Sequence, residues 1–171
     1  MLKEVSKCRK CNLCYNQEPL LDKGFKCDVM WVGLSAKRVE NVKKNIPLCN
    51  DTNSGMIIEL IEKKLPNLDF YKTNLVKCLP LDKDNKLRYP SDDEMNLCIS
   101  NLLLEIEELD PKIIFVLGRK AYNFINKYFD KNKVDSSKLV YIEHPSYIYV
   151  YKRKYIDNYV NKVVNICMKK M

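Results

Sequence analysis

The chain has 171 residues, of which 46% are hydrophobic and 30% are charged; this composition excludes a disordered chain and predicts one globular domain over residues 1–171. Its formal net charge of +8 favours an anionic partner such as nucleic acid, although a lysine-rich composition is also typical of AT-rich genomes. No apolar run approaches the roughly 20 residues that span a membrane, and the first residues contain no apolar signal segment, so we expect a cytoplasmic protein.

Predicted strands and helices alternate along the chain. The strands are short apolar runs, and the helices carry apolar residues at three- and four-residue spacing; one of them begins with Ser91 and Glu94 at the spacing of a capping box. Alternation of this kind predicts an α/β fold with three layers, α/β/α, around a central, mostly parallel four-stranded sheet. In chain order we predict a strand over 29–34, a helix over 56–65, a strand over 70–80, a helix over 91–109, a strand over 112–118, a helix over 119–129, a strand over 138–146 and a helix over 151–170.

Polar or glycine-bearing segments follow all four predicted strands. In a parallel sheet, ligands bind at the carboxyl ends of the strands. The sequence therefore predicts a site where these four segments meet at one edge of the sheet. They read GLSAK, TNLVKC, LGRKA and EHPS.

The cysteines are the second chemical feature of the sequence. In a reducing compartment they are metal ligands or buried thiols more often than disulfides. A structural zinc site needs two tight pairs, and only CRKCNLC (8–14) is tight, whereas an iron–sulfur cluster accepts ligands that lie far apart in sequence. The spacing alone leaves a cluster, zinc and no metal open. The eight cysteines are residues 8, 11, 14, 27, 49, 78, 98 and 167.

Several of these features form one longer pattern. C-x2-C-x-L at 8–13 is followed by TNLVKCLP at 73–80 and by PSDDEMNLC at 90–98. Three further matches belong to the pattern. Val32-Gly33 lies between the first two stretches, and an LG-x2-A stretch from Leu117 and the His-Pro-Ser at 144–146 follow the third. Over about residues 8 to 150 the chain resembles the iron–sulfur uracil-DNA glycosylases, families four and five of the uracil-DNA glycosylase superfamily.

The resemblance implies a [4Fe–4S] cluster bound by Cys8, Cys11, Cys78 and Cys98. In that family the cluster is structural and holds the loops beside the DNA surface, so we expect no redox catalysis. Cys14 and the remaining cysteines fall outside the pattern and are expected to be spare or buried thiols. The stretch LDKDNKLRYP between Cys78 and Cys98 resembles a loop insertion.

Asn74 and His144 are the predicted catalytic residues. The Asn74 carboxamide can both donate to and accept from the edge of a pyrimidine, although an asparagine at a strand end is also typical of a turn cap. His144 is the only histidine in the chain, and the resemblance implies that it contacts O2 of the base and stabilises the leaving anion. By the same resemblance, Ser146 holds a phosphate and Tyr147 fills the space that the flipped base leaves. The alternative for YIEHPSYIYVY is an aromatic strand and turn, and we expect its tyrosines beyond 147 to be core residues.

The first motif departs from the family pattern. Leu34 stands where family four has glutamate but matches family five, and Leu48 replaces the phenylalanine that stacks on the base. We predict that Gly33, Leu34, Ser35 and Leu48, together with Asn74, bind the base. The loss of the aromatic ring removes a stacking contribution of roughly 1–3 kcal/mol.

The same departures put charged residues beside the predicted pocket. Lys37 and Arg38 follow the first motif and suit contact with DNA phosphates. Glu40 and Asp51 are the nearest acidic residues, and neither is clearly placed to position water.

The leading hypothesis is a monomeric DNA glycosylase that flips uracil or another modified base out of DNA and hydrolyses its N-glycosidic bond. The alternative is a weak or inactive iron–sulfur relative that binds nucleic acid. A zinc-stabilised protein unrelated to DNA is the third hypothesis.

Overall fold

The computed structural model describes residues 2–171, without the side chain of Leu2. Its centre is a sheet of four parallel strands in the order β2-β1-β3-β4. The predicted α/β fold with a four-stranded parallel sheet is thereby confirmed. The strands are β1 (Val29–Ser35), β2 (Phe70–Val76), β3 (Ile113–Leu117) and β4 (Leu139–Ile142).

Helices cover both faces of the sheet. The sequence predicted the positions of α3, α4 and α5 closely, whereas it did not predict the short helices α1, α2 and α6. The helices are α1 (Leu2–Ser6), α2 (Leu13–Asn16), α3 (Asn53–Glu62), α4 (Asp92–Leu109), α5 (Arg119–Asn132), α6 (Pro145–Tyr151) and α7 (Ile156–Lys170), with a 3₁₀ turn at Arg153–Tyr155 before α7.

The alternation of side chains along the strands builds two cores. Met30 and Val32 of β1 point to the face that packs on α4 and α5, while Val29 and Trp31 point to the face that packs on α3 and α7. Because β1 is central and buried on both faces, its sequence is apolar throughout rather than alternating. The two cores give the predicted three layers.

The order of the strands locates a crevice. From β1 the chain crosses to β2 on one side, and then returns to β3 and β4 on the other. In an open parallel sheet this switch between β1 and β3 leaves space at the carboxyl ends of the strands. None of the helices that the structure describes in residues 2–171 is long and apolar enough to span a membrane.

The prediction for the last third of the chain was wrong in three details. β4 ends at Ile142, and His144 is the N-cap of helix α6 rather than part of a strand. Tyr151 is exposed and is not a core residue, whereas Tyr149 is partly buried and packs against the core on the α3 and α7 face. The predicted helix over 151–170 is divided, because the 3₁₀ turn separates α6 from α7.

Candidate active site

A cavity of about 1530 Å³ opens at the carboxyl edge of the sheet. It exceeds the roughly 300–1,000 Å³ of an ordinary small-molecule pocket and is open to solvent, as a site for part of a macromolecule would be. The lining includes every residue that the sequence analysis assigned to the pocket. These are Gly33, Leu34, Ser35, Lys37, Arg38, Leu48, Asn74, His144, Ser146 and Tyr147.

Asn74 lies on the floor of this cavity. It belongs to β2, pairs with Gly33 of β1, and is only 4% exposed. Its carboxamide makes no hydrogen bond with any residue that the structure describes, so it is not the turn cap that was the alternative. The residue lines the cavity, so the polar atoms of its carboxamide are free to pair with a ligand that enters.

Gly33 is required at its position by the neighbouring strand. A Cβ atom there would lie 2.3 Å from Oδ1 of Asn74, and 3.6 Å from Cδ2 of Leu48. The absence of a side chain at residue 33 therefore lets the Asn74 carboxamide and the Leu48 side chain approach each other over the strand. Leu48 has a positive φ of 51°, in a backbone region that a branched residue rarely adopts.

His144 lies on the opposite wall, at the start of α6. Its Nδ1 accepts a hydrogen bond of 3.3 Å from the backbone N–H of Ser146, which leaves the proton of a neutral imidazole on Nε2. Burial lowers the pKa of His144, and the positive charge of Lys37 lowers it further. The ring packs against Gly118, whose φ of 87° and close approach to His144 both favour glycine.

Charged side chains surround the cavity. Lys37 and Arg38 follow β1, and the Gln17 side chain fixes this loop by donating to the backbone oxygen of Lys37 and accepting from the N–H of Val39, each at 3.0 Å. Asp51 also lines the cavity and accepts a hydrogen bond of 2.6 Å from the thiol of Cys49.

The four thiols that the resemblance singled out lie outside the cavity lining, and Cys78 and Cys98 belong to the core that packs on α4. The side-chain amide of Asn101 in α4 donates to the sulfurs of Cys8 and Cys98, at 3.3 and 3.8 Å, and the backbone N–H of Lys77 donates to Cys98 at 3.4 Å. Burial raises the pKa of Cys78, and the nearby thiols of Cys98, Cys11 and Cys8 raise it further. The structure thus brings the N-terminal pair close to Cys78 and Cys98.

Two further observations describe this thiol group. All eight cysteines are free thiols, and Cys14 is buried in the same core as Cys78 and Cys98. Within residues 2–171 as described, no three His, Cys, Asp or Glu side chains are close enough together to hold a single metal ion.

Comparison with known proteins decides the family. Residues 16–166 match the family described as the Uracil DNA glycosylase superfamily. This chain belongs to that superfamily. It is 30% identical over 158 residues to the Type-4 uracil-DNA glycosylase of Sulfurisphaera tokodaii, covering 90% of this chain and 67% of the relative. It is 27% identical over 191 residues to the Type-4 uracil-DNA glycosylase of Archaeoglobus fulgidus, covering 99% of this chain and 93% of the relative.

A solved structure supports the fold. The crystal structure of wild-type Pedobacter heparinus SMUG2 superposes with a TM-score of 0.59 and 17% sequence identity, over 82% of this chain and 74% of that chain. The predicted membership of the uracil-DNA glycosylase superfamily and the predicted DNA glycosylase class are confirmed by these comparisons.

This glycosylase contains a buried ion pair that the sequence analysis missed. Lys77 and Glu105 are fully buried and contact each other between β2 and α4. The Lys77 ammonium also donates to Thr73 Oγ1 and to the backbone oxygen of Asn74, both at 2.6 Å, so its three protons all have acceptors. Glu105 further accepts from Tyr71 and Thr73. The network therefore fixes the backbone of Asn74 from below.

The sequence analysis also missed other residues that line the cavity of this glycosylase. Arg119 and Lys120 follow β3, and Leu87 and Tyr89 belong to the stretch identified only as an insertion. Arg119 and Lys120 could have been found, because they belong to the LGRKA segment, which was expected at the carboxyl edge of the sheet. No local signal identifies Asn101 or Glu105, since each acts on a residue that is distant in sequence.

Proposed function

We propose that this DNA glycosylase hydrolyses the N-glycosidic bond of uracil, or of another modified base, after the nucleotide has flipped out of DNA into the cavity. The observation that carries the proposal is the carboxamide of Asn74, which makes no hydrogen bond with the described residues and shares one cavity with the imidazole of His144. Both groups stand at the carboxyl edge of a rigid sheet, where a base has room to enter.

Each side chain has a stated role in this proposal. The Asn74 carboxamide donates to and accepts from the O4 and N3 edge of the base. His144 donates its Nε2–H to O2, so that the electron pair of the breaking bond is stabilised on the base while a water oxygen bonds to C1′ and releases its proton to solvent. The amides of Gly33 to Ser35 and the side chain of Leu48 contact the ring.

DNA is the partner of this family, and we propose how it meets this chain. Lys37, Arg38 and Ser146 contact phosphates beside the target, and Tyr147 enters the space that the flipped nucleotide leaves. The protein acts as a monomer on DNA in the cytoplasm. A reducing compartment of this kind is also the one that keeps eight cysteines as thiols.

We propose that Cys8, Cys11, Cys78 and Cys98 bind a [4Fe–4S] cluster. Four neighbouring thiols, of which Cys8 and Cys98 accept N–H hydrogen bonds, fit this group, because such clusters take one thiolate per iron and are tuned by N–H to sulfur hydrogen bonds. The raised pKa of the Cys78 thiol fits as well, since a cation is needed to keep neighbouring sulfurs charged. The bound cluster supplies rigidity between the N-terminal segment, β2 and α4.

The test of the function uses oligonucleotides that each carry one altered base, with abasic product detected by alkaline cleavage. Excision of uracil is expected, and His144→Ala is expected to reduce its rate by about tenfold or more, because one donor to the leaving anion is lost. The variant should retain the iron content and the brown colour of the parent. Equal activity in the variant would remove His144 from the mechanism.

The test of the cluster uses anaerobically purified protein. The parent is expected to be brown, to absorb broadly near ~400 nm and to contain about four iron atoms per chain, whereas a zinc protein would be colourless. Cys98→Ser should lose most of the iron and the absorption. Cys167→Ser is the matched control, because Cys167 is equally buried but lies in the core on the opposite face of the sheet. Iron loss in both variants, or in neither, would contradict the assignment.

One observation favours a second function. Leu48 provides no aromatic surface for the base, which fits a relative that binds DNA with little or no turnover. In that case uracil-containing DNA would bind with Asn74 and His144 intact, and no abasic product would form with any base of the panel.

A further inference from the structure

Residues 81–90 form a rigid hairpin beside the mouth of the cavity. Leu81 and Leu87 pair as an isolated antiparallel bridge, and the backbone N–H groups of Asp82 and Arg88 bond to the oxygens of Lys86 and Pro80 at 2.9 and 3.1 Å. The Asp82 carboxylate closes the turn by accepting from the backbone of Asp84 and Lys86. The stretch identified from sequence as an insertion is thus an ordered element, which we name the 81–90 hairpin.

Arg88 ties this hairpin to helix α4. Its guanidinium donates to both carboxylate oxygens of Glu94, at 2.8 and 2.6 Å, and to the backbone oxygen of Leu81 at 2.9 Å. Glu94 also forms the capping box with Ser91 at the start of α4, and its hydrogen bond with Arg88 lowers its pKa. The hairpin is therefore held by a bidentate ion pair at a fixed helix end.

The side chains on either side of Arg88 point outward. Leu87 is 55% exposed and Tyr89 is 72% exposed, and both line the cavity. The Lys120 ammonium lies 4.7 Å from the centre of the Tyr89 ring. An exposed leucine and an exposed tyrosine on this hairpin contribute little to the core and are free to contact a ligand that enters the cavity.

The opposite rim of the mouth has the same character. Tyr147 and Tyr151 of α6 are exposed, with ring centres 5.3 Å apart, and the Lys152 ammonium lies 5.2 Å from the Tyr147 ring. Both rims thus combine aromatic faces with cations. That combination is the one by which proteins hold single-stranded nucleic acid, since the bases stack on the rings while the cations neutralise phosphates.

We propose that the 81–90 hairpin is a second DNA-contacting element, in which Tyr89 and Leu87 receive the unstacked base next to the excised one on the same strand. Lys120, already placed against the Tyr89 ring, neutralises the adjacent phosphate. This inference rests on the proposed function, because it places the target nucleotide in the cavity between the two rims. It assigns to the insertion a role in holding a single strand.

The experiment uses a single-stranded oligonucleotide with 2-aminopurine beside the uracil. Tyr89→Ala is expected to weaken binding about tenfold, the equivalent of one lost stacked base, and to restore the 2-aminopurine fluorescence that stacking quenches. Tyr89→Phe should bind as the parent does, because the ring is kept.

Phe25→Ala is the matched control. Phe25 is 89% exposed but precedes β1 at the amino edge of the sheet, away from the cavity, and its loss should change neither binding nor fluorescence. The inference is overturned if Tyr89→Ala binds like the parent, or if Phe25→Ala weakens binding equally. If the parent binds DNA without excising any base while Tyr89→Ala still binds more weakly, the proposed function fails and the hairpin contact stands.

Discussion

Replacement of Asn74 by leucine is expected to reduce the single-turnover rate of uracil excision by a factor of about 10²–10³, the usual cost of removing one preorganised polar group from a transition state. Leucine has the same branched outline, so the packing against Gly33 is retained while every hydrogen bond to the base edge is lost. The measurement is the formation of alkali-labile sites with enzyme in excess. An Asn74→Leu protein that excises uracil within threefold of the parent would refute the assignment.

Two glycine variants separate the chemistry of the carboxamide from its position. Gly33→Ala keeps Asn74 but adds a Cβ that would lie 2.3 Å from its Oδ1, so the side chain must move and the rate of excision should fall as well. Gly24→Ala is the control, because the nearest atom to its added Cβ lies at 3.7 Å, an ordinary contact distance. Equal rates in the two variants would show that the position of the carboxamide is unimportant.

Replacement of Lys77 by methionine is expected to destabilise the fold by about 3–5 kcal/mol, because Glu105 is left as a buried charge without its cation. For a chain of this length that loss corresponds to a decrease in the melting temperature of about 6–20 °C. The measurement is thermal unfolding under anaerobic conditions, followed by circular dichroism. Because Lys77 precedes the proposed cluster ligand Cys78, the iron content of each variant is measured together with its melting temperature.

The double variant Lys77→Met with Glu105→Leu should recover most of this stability, since two apolar groups replace two buried charges. Lys112→Met is the control at the surface, because Lys112 pairs with Asp28 but is largely exposed, and it should cost about 1 kcal/mol or less. If the melting temperature of the single Lys77→Met variant equals that of the parent, the buried pair does not stabilise the fold.

The elements with strong local signals were predictable from the sequence. The buried strands are uninterrupted apolar runs, and Ser91 and Glu94 mark the start of α4 through a capping box that the structure contains. Helix α6 was missed because SYIYVY is rich in aromatic and branched residues that favour strands. A proline directly after His144 was the available sign of a helix start, since proline suits the first helical position.

The residues of the candidate site also fall into a group that the sequence predicted and a group that it could not predict. Residues near the carboxyl ends of the strands, such as Asn74 within β2 and Lys37 after β1, could be assigned to one edge because parallel strands end together. Glu105 could not, because it lies on a helix whose rotation about its axis decides which side chains face β2. The partners of Lys77 and of Cys98 depend on that packing, which no local pattern in the sequence records.

The register of β1 and β2 also limits how this protein can evolve. Residue 33 has no room for a side chain as long as residue 74 keeps its carboxamide, so position 33 can gain a side chain only together with, or after, a change at position 74. The partly buried residues 34, 35 and 48 also line the cavity, so a substitution at any of them alters the cavity wall directly. A change of substrate range is therefore easier to reach at the cavity wall than at residue 33, which depends on the residue opposite it.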